Sequence, residues 1–308
     1  TLQIGNGASD STTFTNGLTA TAGTPPSSII QHGNLLSGGN VALDATTTID
    51  FDGTVGATTA IGGNFNLGTN TTTANIDLAD AVSVDGLISI TGANVTIGGA
   101  VRADKDSAGN EVLTISATNT AASVLNVNNT LTTNSGAITL SAKDDVIFAA
   151  AGDLASSNGN VSVTADSDNT TAAAGGAITM ADGATINAGS GTITLSADES
   201  VVLGGLTTTN ATGAAVAITS DNGSITDAGD TDVDITASTA NSVVTLTAKD
   251  TIGTVSGDAV YLDTADTGYA GNPLETAILS LSATTSATSG SEIAIDNTSA
   301  SGLALTTL

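Results

Sequence analysis

Apolar and polar residues alternate along most of this chain in short runs. In the stretch "ITLSAKDDVIFAAAGDL" at 138–154 the apolar positions are Ile138, Leu140, Ala142, Val146, Phe148 and Leu154, with Thr139 and Ser141 between them. The arrangement returns at 193–206 as Ile193, Leu195, Ala197, Val201, Leu203 and Leu206, and at 41–55 as Val41, Leu43, Ala45, Ile49, Phe51 and Val55. Alternation with period two sends one set of side chains inward and the other outward from a β-strand. Gly, Asn, Asp and Ser lie between the runs and form turns. No stretch carries a 3.6-residue apolar stripe, so the pattern predicts almost no helix.

The runs recur at a fixed interval. The first apolar residues of successive runs are Val41, Phe65, Ile88, Leu113, Ile138, Val161, Ile193, Val216, Val244, Leu279 and Leu303, with Leu18 a weaker member before them. Eight of the eleven gaps counted from Leu18 are 23–25 residues. The three longer gaps imply insertions, placed near 167–176, 227–232 and 268–275. A unit of this size with two or three short strands cannot bury its apolar face alone; stacking its copies closes the core. Crossovers between parallel strands are right-handed in nearly all cases. The predicted fold is therefore all-β: a right-handed parallel β-helix, or β-solenoid, of about twelve coils of roughly 23–25 residues. It forms a single segment over 1–308. The chain starts and stops mid-pattern, which we read as a piece of a longer repetitive protein.

Composition narrows the function. Among 308 residues there are 36 Gly but only 3 Pro, aromatics are 2%, and Cys and Trp are absent. This is neither collagen nor a Pro-rich linker, and there is no disulfide framework or thiol chemistry. Thirty acidic residues face only Arg102, Lys105, Lys143 and Lys249, for a net charge of -26. Phosphate recognition needs clustered cations, so this balance argues against nucleic acid and anionic membranes. It favours solubility and divalent cations as partners. No signal peptide and no apolar run of about 18 residues is found, so this segment inserts in no membrane.

The segments "GAITLSAKDDVIF", "GNVSVTADSD", "GTITLSADESVVLGGLTTTN" and "SVVTLTAKDTI" resemble repeats of large bacterial exoproteins. These are the filamentous-haemagglutinin-like and autotransporter-type adhesins. The resemblance covers nearly the whole chain and is compositional and periodic; the family's N-terminal secretion module with its "NPNG"-type signature does not occur. It implies an extracellular place on the bacterial surface or in a secreted filament, and roles in adhesion, biofilm or matrix building. It also implies Sec export and passage through an outer-membrane β-barrel partner. The implied partners are glycans or proteins on host or neighbouring cells, or copies of the chain itself.

Few residues carry possible chemistry, and most have a plain structural role. The acid pairs Asp144–Asp145, Asp50/Asp52 and Asp166/Asp168 are similar to the clustered acids of carbohydrate-active β-helix enzymes. Such enzymes also need basic or tyrosine partners and aromatics to stack sugars, and this chain has two Tyr and no Trp. Acids in turns account for these pairs. His32 is the sole histidine and has no triad spacing. "GGNFNLG" lacks both the spacing and the following helix of a dinucleotide site. Stacked Thr-x-Thr, as at Thr46/Thr48 and Thr71/Thr73, stops after two coils, so an ice-binding ladder is not built. No catalytic residue is assigned, and the chain is read as no enzyme.

Calcium is the one cofactor the acids suggest. "DKDSAGNE" at 104–111 places Asp104 and Asp106 two apart with Gly109 at the sixth position, partly like an EF-hand loop. It departs at Ala108 and Ile115, where oxygen ligands belong. In "DTDVDITA", inward Val233 and Ile235 would leave Asp230, Asp232 and Asp234 on one outer face, about 6.6–7 Å apart at each step. These five acids are the candidate ligands. Three functions remain open: a stiff structural or adhesive segment, a self-associating matrix or surface-layer fibre, and, as a minor alternative, a carbohydrate-active enzyme.

Overall fold

A computed structural model describes the chain except at 8–9, 22–24, 57–59, 69–73, 108, 119, 121, 169–174, 230–231, 256–259, 264–270, 288–290, 300–301 and 308. It is a parallel β-solenoid with no helix among the described residues. From Phe65 to Ala237 each coil contributes one short strand to each of three walls. In one coil these are Ile138–Ala142, Val146–Phe148 and Leu154–Ser156.

The first wall is a sheet of twelve parallel strands running from Leu18–Ala20 to Ala304–Thr307. Its register stacks Leu18, Val41, Phe65, Ile88, Leu113 and Ile138, and continues through Val161, Ile193, Val216 and Val244. The column ends with Leu281 and Leu305, not with Leu279 and Leu303. Alternation fixes which face a residue takes, but a shift of two residues keeps that face, so pattern alone does not detect it. Here Leu279 is a corner residue between the strands Leu274–Ile278 and Ser280–Thr285.

The second wall has ten strands, from Leu2–Ile4 to Ile225–Asp227. The third runs from Val82–Ser83 through Ile235–Ala237 and Leu274–Ile278. Bridges from Leu35 to Val55 and from Val55 to Val82 carry it back toward the first coils.

The core is one apolar cluster extending from Ile4 to Ile295. All six apolar residues noted in each of the 41, 138 and 193 units are buried in it. Phe51 and Phe65 meet edge to face with centroids 5.8 Å apart. Turn side chains tie each coil to the next. The carboxamide oxygens of Asn40, Asn94 and Asn160 accept backbone N–H groups of Asn64, Val124 and Thr192 at 2.9, 2.9 and 3.0 Å.

The regular stacking changes after Val244. Thr254–Val255 and Gly271–Asn272 pair antiparallel, and the chain between them supplies Val260–Asp263. That strand docks parallel on Ile293–Asn297, beyond its place in chain order. The excursion thus spans 254–272 and ends before Leu274, so the end of the predicted 268–275 insertion lies in a strand of the third wall.

Candidate functional site

The acid pairs seen in the sequence have structural partners. Asp145 Oδ1 accepts the Ala177 N–H at 2.9 Å, joining successive coils. Asp52 lies 2.5 Å from His32 Nδ1 and Asp168 lies 3.5 Å from Lys143 Nζ.

The two acids of the 104–111 turn do not converge. Asp104 is fully buried in a left-handed backbone conformation, φ 54°, and Asp106 is exposed. A residue at positive φ breaks the strand alternation that would have put both on one side. Both carboxylate oxygens of Asp104 lack a hydrogen-bond partner among the described residues.

The predicted outer face at 230–234 is also different. Asp230 lies outside the described residues. Asp232 is exposed and Val233 is 37% exposed, whereas Asp234 is buried at 3%. The strand begins only at Ile235, so 233 and 234 form a corner where alternation does not hold. The turn aims Asp234 inward, where it meets two acids that were not predicted: Asp227, at the end of the second-wall strand, and Glu275, in the next coil's third-wall strand. One carboxylate oxygen from each lies within 4.8 Å of the others.

Backbone pairing fixes this arrangement. The Asp234 N–H donates to the Glu275 carbonyl at 2.8 Å, and the Glu275 N–H donates to Asp234 Oδ2 at 2.9 Å. Ile235 pairs with Thr276 and Thr276 with Asn297, so Asp234, just before its strand, stacks in register with Glu275 and Asp296 of the next two strands. Like charges stacked in this way repel. Burial, and then the neighbouring Asp227 charge, push the Asp234 carboxyl up to about 9. The same two causes push Glu275 up to about 7. An all-carboxylate cluster suits shared protons or a hard cation, and no His joins it among the described residues.

Asp227 and Glu275 were missed because both fell in segments read as insertions. The signal was present: Asp227 sits two residues after Ile225, where "VIF" has Phe148 and "VVL" has Leu203. An acid at a core position of the repeat is the mark.

A second feature lies on the outer face of the third wall. Arg102, Thr132, Ala155 and Asn187 form one column on four successive strands. With Asn134 and Ser157 they line an open groove of about 540 Å³. No family model, no curated protein and no solved structure matches this chain.

Proposed function

We propose that this chain is a structural and adhesive segment of a bacterial cell-surface or secreted filamentous protein. It works by being long, stiff and repeated, and carries out no reaction. The observation that supports this is the continuous parallel stacking: one wall of twelve strands over one apolar core. Such a rod gains reach with each coil and offers equivalent outer surfaces on which weak contacts add. The polar groove through Arg102 and Asn187 is the surface we assign to glycan or protein contact. Beads carrying the chain are expected to adhere to glycan-coated surfaces, and Arg102→Ala to weaken that adhesion. Release of cleaved sugar from those surfaces would overturn the reading.

A self-associating fibre is the second reading. The walls present the same outward-facing strand surfaces from coil to coil, so weak contacts between two copies lying side by side can add along the rod. Sedimentation that rises with protein concentration would favour this reading over the first.

A further inference from the structure

Asp227 occupies a position that the other coils fill with large apolar side chains. In the second wall Phe51 stacks on Leu78, Leu78 on Ile97, Ile97 on Val127, Val127 on Phe148 and Phe148 on Met180. Leu203 then stacks on Asp227. All the apolar members are buried, and Asp227 is only 6% exposed. A carboxylate there forgoes apolar burial and loses its hydration.

Neither oxygen of Asp227 has a hydrogen-bond partner among the described residues. A nearby polar group in the same core behaves differently. Asn297 is fully buried, yet its Oδ1 accepts from Thr276 Oγ1 and from the Ile278 N–H, both at 3.0 Å, and its Nδ2 donates to the Ile278 carbonyl at 3.3 Å. Buried polar groups in folded proteins are satisfied in this way. Asp227 instead directs an unpartnered, buried carboxylate at Asp234 and Glu275.

We propose that Asp227, Asp234 and Glu275 bind one calcium ion. The donors are all oxygen, which selects hard cations over zinc or copper. One oxygen from each lies within 4.8 Å of the others, close enough for all three to reach a single cation at a calcium–oxygen distance of about 2.4 Å. Magnesium demands near-ideal octahedral geometry at about 2.1 Å and sheds its water reluctantly, so a cluster of three protein carboxylates favours calcium. Asp234 also lines a surface cleft of about 200 Å³ with Asp232, Gly205 and Thr207, which gives the ion a path in. The ion fastens Asp227 and Asp234 of one coil to Glu275 of the next, which lies 41 positions beyond Asp234 in the chain. This site is independent of the adhesive role proposed above.

The test uses the 308-residue chain stripped with chelator and then titrated with calcium, followed by calorimetry and thermal unfolding. One ion per chain should bind with Kd of about 1 mM or tighter, the range of extracellular calcium modules. The melting temperature should rise with calcium by mass action. Asp227→Leu restores the apolar column: it should melt at or above the wild-type temperature in chelator and lose about 100-fold or more in calcium affinity. Asp227→Asn, which keeps the shape, should lose affinity to a similar degree. Absence of heat and of any melting shift up to about 10 mM calcium, well above that range, would overturn the proposal. So would an equal response to magnesium, or a wild-type calcium response in either variant.

Discussion

At the scale of single residues, the coil corners show how little room the repeat leaves. A Cβ at Gly159 would sit 2.0 Å from the Gly136 carbonyl oxygen, and one at Gly191 would sit 2.1 Å from the Gly159 carbonyl oxygen. These glycines open the "GAITL", "GNVSV" and "GTITL" runs, so one corner is packed backbone on backbone through successive coils. Hydroxyls complete it: Thr133 and Ser156 both donate to the Gly136 carbonyl, and the Gly159 N–H donates to Ser156 Oγ at 2.8 Å. Gly159→Ala should therefore destabilise the fold by about 1–3 kcal/mol, as overpacking does. Gly213 has nothing within 4 Å of its added Cβ, and Gly213→Ala should change stability by less than about 0.5 kcal/mol. Urea unfolding of the two variants gives the comparison, and equal midpoints would refute the close-packed corner.

At the scale of elements, strands were legible where alternation was clean and illegible where the chain turned. The runs beginning at Ile138, Ile193 and Val216 repeat one pattern without interruption, and each is a strand of the first wall. The corner at 233–234 has no such pattern, and reading Val233 as inward placed Asp234 on the wrong side. Glu275 could be placed only by pairing with a residue 41 positions earlier, which no local signal encodes. The consequence is a stacked acidic position, Asp234, Glu275 and Asp296, with Asp227 facing in from the second wall. It carries a pH prediction for the cation-free chain. Asp234 and Glu275 titrate near 9 and 7 when folded, against about 4 when unfolded. The folded state then binds more protons than the unfolded state, so stability is greatest below about pH 4 and falls as pH rises toward 9. Surface acids at a net charge of -26 push the same way. The measured quantity is therefore the difference in melting temperature between the chain and Asp227→Leu, each in chelator. Removing the Asp227 charge should flatten the slope, and identical slopes would count against coupling among these acids.

At the scale of the whole molecule, the repeat is the design. Parallel strands lie about 4.8 Å apart, so twelve of them make a rod roughly 50–60 Å long. Each coil is both the template on which the next forms and the lid over the one before, so no coil is unique in the regular part of the stack. This permits a change that would destroy most domains: removal of residues 138–160 by joining Ala137 to Val161. Ile138 pairs with Leu113 on one side and Val161 on the other, so Val161 would take its place against Leu113 with the same inward face. In the other walls Val127 would meet Met180, and Leu131 would meet Ile186, since only the deleted strands separate them. The shortened chain should fold cooperatively and scatter X-rays as a rod about 4.8 Å shorter. Its melting temperature should fall only modestly, because in a linear array each repeat contacts its neighbours alone. Adhesion of coated beads should weaken but persist, because the deletion takes Ala155 and Ser157 out of the groove while Arg102, Thr132 and Asn187 remain on neighbouring strands. A chain that fails to fold after this deletion would mean that the coils are not interchangeable, and that stiffness here depends on a particular coil rather than on repetition.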